Sequence, residues 1–244
     1  MQINTFPITL KESYMISPKV KHFIFNCAQF PAFSYLPGHF ITIHFEREGK
    51  QLKRSYSIAN SPKDDNCIEF AAGYFAEGPG TELLFNLKPG DIIHINGPFG
   101  RLILKEQDPK RYIFVATSTG VTPYRAMIDE LSRRLQQQAN LEIVILQGVQ
   151  RREEMLYAAE FEAFAQQFPQ VTFKACLSKI SPEELKPNEY AGYVQHVFPE
   201  LRLHPEQDLV YLCGNPGMID EAFNYLKEQG FAMQHIIREK YISR

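Results

Sequence analysis

The chain changes its hydrophobic period once. Up to about residue 105, apolar and polar positions alternate in short runs: KHFIFNC (21–27), HFITIHFE (39–46), KRSYSIAN (53–60), CIEFAAGYF (67–75) and DIIHING (91–97). Turn pairs separate them, at Pro37-Gly38, Ser61-Pro62 and Pro89-Gly90. Successive strand side chains point to opposite faces, so this alternation predicts strands. Many of them at close spacing predict an antiparallel barrel or sandwich. Only TELLFNL (81–87) predicts a short helix there.

Beyond KEQDPKR (105–111), apolar runs alternate with helical ones. RYIFVAT leads into a segment with Tyr124, Met127, Ile128, Leu131 and Leu135 at helical spacing. LEIVILQGV leads into one with Leu156, Phe161, Phe164 and Phe168. VTFKACLS follows, then DLVYLCG and a helix from about Pro216 to Gln229, with Asn215 as its cap and Gly230 ending it. This order predicts a parallel sheet with helices on both faces. The expected domains are therefore 1–105 and 110–244, a β barrel followed by an α/β unit, with the charged, proline-bearing stretch between them as linker.

In a parallel sheet, all strand carboxyl ends share one edge, and ligands bind in the crevice there. That edge collects STGVTP after the first strand, GVQRREE after the second, LSK after the third and CGNPGM after the last. Two of these open helices, whose first N–H groups attract anions. The others bring Arg151, Arg152, Ser178 and Lys179, so a dinucleotide is a natural occupant. Yet STGVTP fits neither G-x-G-x-x-G nor a P-loop. Cys213 ends an apolar strand at this edge, although a buried free cysteine is most often just a small hydrophobe.

Composition narrows the partners. A net charge of −2 gives no reason to expect nucleic acid or an anionic membrane. The start lacks a leader pattern and no apolar run is long enough to span a bilayer, which points to the cytoplasm. Cys27, Cys67, Cys176 and Cys213 are far apart, with no C-x-x-C to hold zinc or an iron–sulfur cluster. His39 and His44 lie on opposite faces of one strand, so no bound metal is expected.

The barrel half carries its own chemistry. In KRSYSIAN, Arg54 and Tyr56 share one side and Ser55 and Ser57 the other. A cation for phosphate, an aromatic for stacking and a hydroxyl for hydrogen bonding are what a flavin nucleotide requires. In EGPGTELL, Gly78, Gly80 and Thr81 open the short helix, a second possible pyrophosphate cradle.

With those residues assembled, the chain resembles the ferredoxin–NADP reductase family of flavoenzymes. RSYS is similar to the family's flavin motif, GPGT to its pyrophosphate turn and GPFGRL to the stretch closing the barrel. TSTGVTP resembles its nicotinamide loop, and CGNPGM its C-G-x-x-x-M motif. The five occur in the family's order over nearly the whole chain. The resemblance implies an FAD-binding Greek-key barrel followed by a nucleotide-binding α/β domain. It implies that Arg54 holds the FAD pyrophosphate with Thr81, that Tyr56 packs on the flavin and that Ser57 hydrogen-bonds near its hydride-accepting nitrogen. Gly120 and Thr122 would bind the nicotinamide nucleotide, and Cys213 would lie beside its ring. Glu239 resembles the carboxylate of the hydride-transfer site, and Tyr241 the aromatic covering the flavin, although Ile242, Ser243 and Arg244 extend beyond it. Ser55, Ala72, Gly73, Gly80, Thr119, Pro123, Arg151, Ser178, Lys179, Gly214 and Met218 complete the implied cofactor-binding set.

The implied activity is FAD-dependent hydride exchange with NADP, or NAD, and electron transfer to a ferredoxin or flavodoxin, by a cytoplasmic monomer. An oxygenase reductase component, an NAD(P)H:flavin reductase and a non-catalytic flavin-binding subunit remain open. Lys179, Arg151, Arg152 and Tyr193 favour a 2′-phosphate, whereas Glu153 and Glu154 oppose one.

Overall fold

The computed structural model describes residues 4–28, 33–63, 66–106 and 109–242. The chain forms two compact units, Met1–Leu104 with Thr122–Met127, and Lys105–Val121 with Ile128–Arg244.

The first unit is a six-stranded antiparallel sheet of β1 (Phe6–Ser17), β2 (Val20–Asn26), β3 (Phe40–Arg47), β4 (Lys50–Ser57), β5 (Cys67–Gly73) and β6 (Ile92–Phe99), with helix α1 (Pro79–Asn86) between the last two. The spatial order β4-β3-β6-β1-β2-β5 is that of a Greek key. Its outer strands meet through the Ile58–Phe70 bridge, which curls the sheet into a barrel. Asn60 reinforces the seam: its amide donates to Cys67 O at 3.0 Å and its oxygen accepts from Glu69 N–H at 2.9 Å. Inside, Phe23, Phe25 and Phe70 stack with ring centroids 5.4 to 6.4 Å apart. Each such buried ring contributes on the order of 1.5–3 kcal/mol. Leu84 of α1 joins this core with Leu83 and Phe85, so the helix plugs the barrel.

The second unit is a six-stranded parallel sheet, β10-β9-β8-β7-β11-β12. Its strands are β7 (Arg111–Thr117), β8 (Glu142–Val149), β9 (Val171–Leu177), β10 (Glu189–Ala191), β11 (Asp208–Gly214) and β12 (Ile236–Lys240). Helices α2 (Thr122–Gln137), α3 (Ala158–Gln167) and α4 (Pro216–Glu228) follow β7, β8 and β11 along the chain, the Thr122–Met127 start of α2 being counted with the first unit. From β7 the chain winds outward through β8, β9 and β10, then returns to lay β11 on the other side of β7. The β7–β11 pair is therefore the topological switch point, where a crevice opens at the carboxyl ends. At their amino ends Arg111 grips Asp208 through two bonds, of 3.1 and 2.6 Å. This bidentate pair pins the relative slide of the two strands.

The sequence pattern omits three strands: β1, whose only fully inward residues are Ile8 and Leu10, and the short edge strands β10 and β12. As the pattern predicts, Asn215 caps α4, accepting from the N–H groups of Gly217 and Met218, and Gly230 follows it with φ of 89°. Thr122 does not cap α2. The Ser118–Val121 stretch is itself a 3-10 turn running straight into the helix, so Val121 already has helical geometry and Thr122 is the first helical residue. Its hydroxyl is buried without a hydrogen-bond partner. No helix among the described residues is long and apolar enough to cross a membrane.

Candidate functional site

In the barrel, the pleat of β4 turns Leu52, Arg54 and Tyr56 to one face and Ser55 to the other, where its hydroxyl lies 3.0 Å from Thr42 Oγ1. Ser55 is thus not brought together with Arg54 and Tyr56. Tyr56 stacks on Phe70 at 5.1 Å, and burial pushes its phenol up to about 12 against the opposing Arg54 charge. It therefore stays a neutral, packed ring. The mouth of α1 lies directly against this pair: a Cβ on Gly80 would come within 2.8 Å of Arg54 Cγ and 3.2 Å of Tyr56 Oη. Any larger residue there would drive the helix away from the arginine.

The first intrahelical bond of α1 runs from Glu82 N–H to Gly78 O, leaving the Gly80 and Thr81 N–H groups beyond the ladder. Thr81 spends its hydroxyl on the turn itself, sharing its proton between Phe75 O at 2.9 Å and Gly78 O at 3.0 Å. What Thr81 offers a ligand is its N–H. A guanidinium beside two helix N-terminal N–H groups is a donor set for an anion and fits the pyrophosphate of FAD. Arg54 also donates to Lys53 O at 2.8 Å, which steadies the side chain. Ser57 is buried at the end of β4, Ala72 faces the barrel core and Gly73 ends β5 beside Val20.

In the second unit the switch point is close-packed. Gly120 lies on the end of β11, and a Cβ there would overlap the Cys213 carbonyl. Glycine is required at this position by the protein's own backbone, before any ligand approaches. Gly214, at φ of 120°, is pressed against Thr117, whose hydroxyl accepts the Asn215 N–H at 2.8 Å. Strand register puts Gln147, Ala116, Cys213 and Glu239 in one row across β8, β7, β11 and β12, with their side chains on one face of the sheet. Cys213 has no exposed surface, and its thiol is held well above the usual cysteine range. Burial is the main cause and the Glu239 charge adds to it, while a hydrogen bond from Tyr241 works the other way. Tyr241 is anchored by its own N–H on Gly214 O at 2.8 Å.

Further along the edge, three backbone bonds bind the loops side by side: Ser178 N–H to Val149 O (3.1 Å), Lys179 N–H to Gln150 O (2.8 Å) and Gly192 N–H to Leu177 O (2.9 Å). They bring exposed Arg151, Lys179 and Tyr193 together with half-buried Ser178. Arg152 is engaged elsewhere, gripping Glu189 at 2.6 and 2.7 Å. Thr119 is half-buried and Pro123 buried. Met218 packs in the core under α4 on the sheet face opposite Cys213, so its side chain serves the fold. Ser243 and Arg244 lie outside the described residues. Among the described residues, no three metal-ligating side chains come together.

Two family models match in tandem. Residues 7–103 match the oxidoreductase FAD-binding domain and residues 114–223 the oxidoreductase NAD-binding domain. The chain belongs to the ferredoxin–NADP reductase-like family of oxidoreductases.

Within that family it is 29% identical to ferredoxin–NADP reductase B of Sorangium cellulosum, over 99% of each chain. It is 26% identical to the toluate 1,2-dioxygenase electron transfer component of Pseudomonas putida, over 85% of this chain and 59% of that one. Several other curated relatives match over only about half of their own length. The crystal structure of a ferredoxin NADP+ reductase from Neisseria gonorrhoeae, with bound FAD and NADP, shares the fold at a TM-score of 0.85 and 19% identity, over 98% of this chain and 99% of that one. This family member is thus an oxidoreductase with an FAD-binding and a nicotinamide-nucleotide-binding domain. Gln147 belongs to none of the sequence motifs, although a polar residue directly after the apolar stretch IVIL (143–146) is its visible signal.

Proposed function

We propose that the protein passes electrons between NADP(H) and a small one-electron carrier of the ferredoxin or flavodoxin kind, with residues 1–105 holding FAD and 110–244 the nucleotide. The observation that carries this reading is Cys213, fully buried, in register with Glu239 and hydrogen-bonded to Tyr241 at the switch point. Bound FAD supplies a ring that takes a hydride and gives up electrons singly.

The protein's residues do the positioning. Arg54 and the Gly80 and Thr81 N–H groups fix the pyrophosphate, Tyr56 supports the flavin from the barrel core, and Ser57 hydrogen-bonds at its edge. Gly120 and Thr119 shape the turn that receives the nucleotide, with the Thr122 hydroxyl as a further donor. A Cys213 thiol kept protonated by burial lies beside the nicotinamide without adding to it, as a thiolate would. Glu239 favours the positive charge that grows on the nicotinamide as its hydride departs. Tyr241 holds the segment after β12 against Cys213.

Arg151, Lys179, Ser178 and Tyr193 favour NADPH over NADH, since they place cations, a hydroxyl and an aromatic on one loop cluster. With FAD bound, comparing kcat/KM for NADPH and NADH tests this, and Arg151→Ala with Lys179→Ala should erode the NADPH value alone. Equal values for both nucleotides in the wild type contradict it. A second reading, reductase partner of an oxygenase, is supported by the toluate dioxygenase component. Reduction of an added ferredoxin or flavodoxin at catalytic rates separates the two.

A further inference from the structure

Gln147 carries an amide into a strand face that is otherwise apolar. Along β8 it shares its face with Ile143 and Ile145, and it has no exposed surface. Neither Nε2 nor Oε1 has a hydrogen-bond partner within the protein. Such an amide offers two donors and two acceptor lone pairs, and leaving them unmet in the interior opposes folding. A methionine would fill the same volume without that penalty, so stability alone does not account for glutamine here.

Its location suggests what does. The cross-strand row runs Ala175, Gln147, Ala116, Cys213, Glu239, and the two alanines flanking Gln147 bring no polar side chain to its amide. The Ser118–Val121 turn packs on β7, β8 and β11. Within this turn Ser118 holds φ of 49°, a left-handed geometry costly for any residue but glycine. An unmet amide and a strained turn therefore adjoin the same end of the sheet, one loop away from Cys213.

We propose that Gln147 is a positioning residue for the nicotinamide nucleotide. Its amide takes up peptide groups of the Ser118–Val121 turn as the nucleotide seats on this edge, so nucleotide binding and the geometry of the turn are coupled through it. The inference rests on the reading of this edge as the nucleotide site and deepens it: binding strength depends on a buried side chain that touches neither ring nor phosphate.

The test uses the full chain loaded with FAD, with Gln147→Met and, as a second variant, Gln147→Leu. Two quantities are measured: the thermal midpoint without nucleotide, and the Kd of NADP+ and NAD+ by calorimetry. The expected result is a midpoint equal to or above wild type with Kd raised about tenfold, the size of one or two lost hydrogen bonds. A purely structural glutamine would lower the midpoint, and wild-type Kd values would show that the amide plays no part; either overturns the proposal. A wild-type protein that binds neither nucleotide would overturn the site reading itself, a failure distinct from that of Gln147.

Discussion

The hydroxyl of Tyr241 donates a hydrogen bond to the sulfur of Cys213, a thiol with no exposed surface. The residue that follows β12 is thereby fastened to the end of β11, at the switch point of the sheet. Burial and the adjoining Glu239 carboxylate both keep the proton on that sulfur. Cys213 should accordingly resist iodoacetamide at pH 7 and pH 9 alike until the protein is unfolded. Rapid alkylation of the native protein, assigned to Cys213 by peptide mass, would contradict the buried, protonated thiol.

Replacing the same sulfur tests its proposed role in catalysis. Cys213→Ala should retain FAD and slow flavin reduction by NADPH roughly tenfold to a hundredfold, the scale expected for a displaced reactant. Anaerobic stopped-flow absorbance at wild-type rates would remove Cys213 from the reaction.

Gly120 allows the turn after β7 to lie on the Cys213 carbonyl. Gly120→Ala should lower stability by about 1–3 kcal/mol through overpacking and weaken nucleotide binding at the same time. Denaturant unfolding with a parallel NADP+ titration reads both, and an alanine variant unchanged in both would show that the close approach is not needed.

Arg54 is the cation set against the mouth of α1. Arg54→Ala should weaken FAD by about 1.5–3 kcal/mol, the range of a charged hydrogen bond, and the protein should lose flavin on gel filtration. Arg54→Lys should recover only part of this, because a lysine cannot present the guanidinium fork. Full flavin content in the alanine variant would assign the pyrophosphate elsewhere.

Glu69 sets an acid limit on the first unit. Burial works to raise its carboxyl, but bonds from His22 and Arg125 prevail and hold it near 2. The geometry is direct, with Glu69 3.2 Å from His22 and 2.8 Å from Arg125. A carboxylate whose folded value is depressed stabilises the fold above its unfolded value of about 4.5 and loses that contribution as pH falls toward about 2. Glu69→Gln should therefore be less stable than wild type at neutral pH, with the gap closing below about pH 4. An equal gap at pH 7 and pH 3, measured by urea unfolding, would show that the charge is not what matters.

The two-unit fold was largely legible because period two and period 3.6 leave different marks. RYIFVAT and DLVYLCG coincide with β7 and β11 residue for residue. β1 escaped because FPITLKESYMIS buries only two side chains fully and carries charges between them. β12 escaped because IIREK is short and paired on one side only, yet that pairing sets Glu239 beside Cys213. The motifs singled out Arg54, Gly80, Gly120 and Cys213 as candidates. What they could not show is whom each residue touches: the Thr81 hydroxyl closes its own turn, Arg152 belongs to Glu189, and Met218 fills the core. Residue spacing records the face a side chain takes, while partners are settled by long-range packing.

The most direct measurement is an anaerobic titration of the purified, FAD-loaded protein with NADPH, followed by its visible spectrum. Stoichiometric bleaching of the flavin absorbance, complete at about one equivalent of NADPH per bound FAD, is the predicted result. A protein that takes up no FAD, or whose bound flavin keeps its full absorbance in excess NADPH and NADH, would contradict the proposed function.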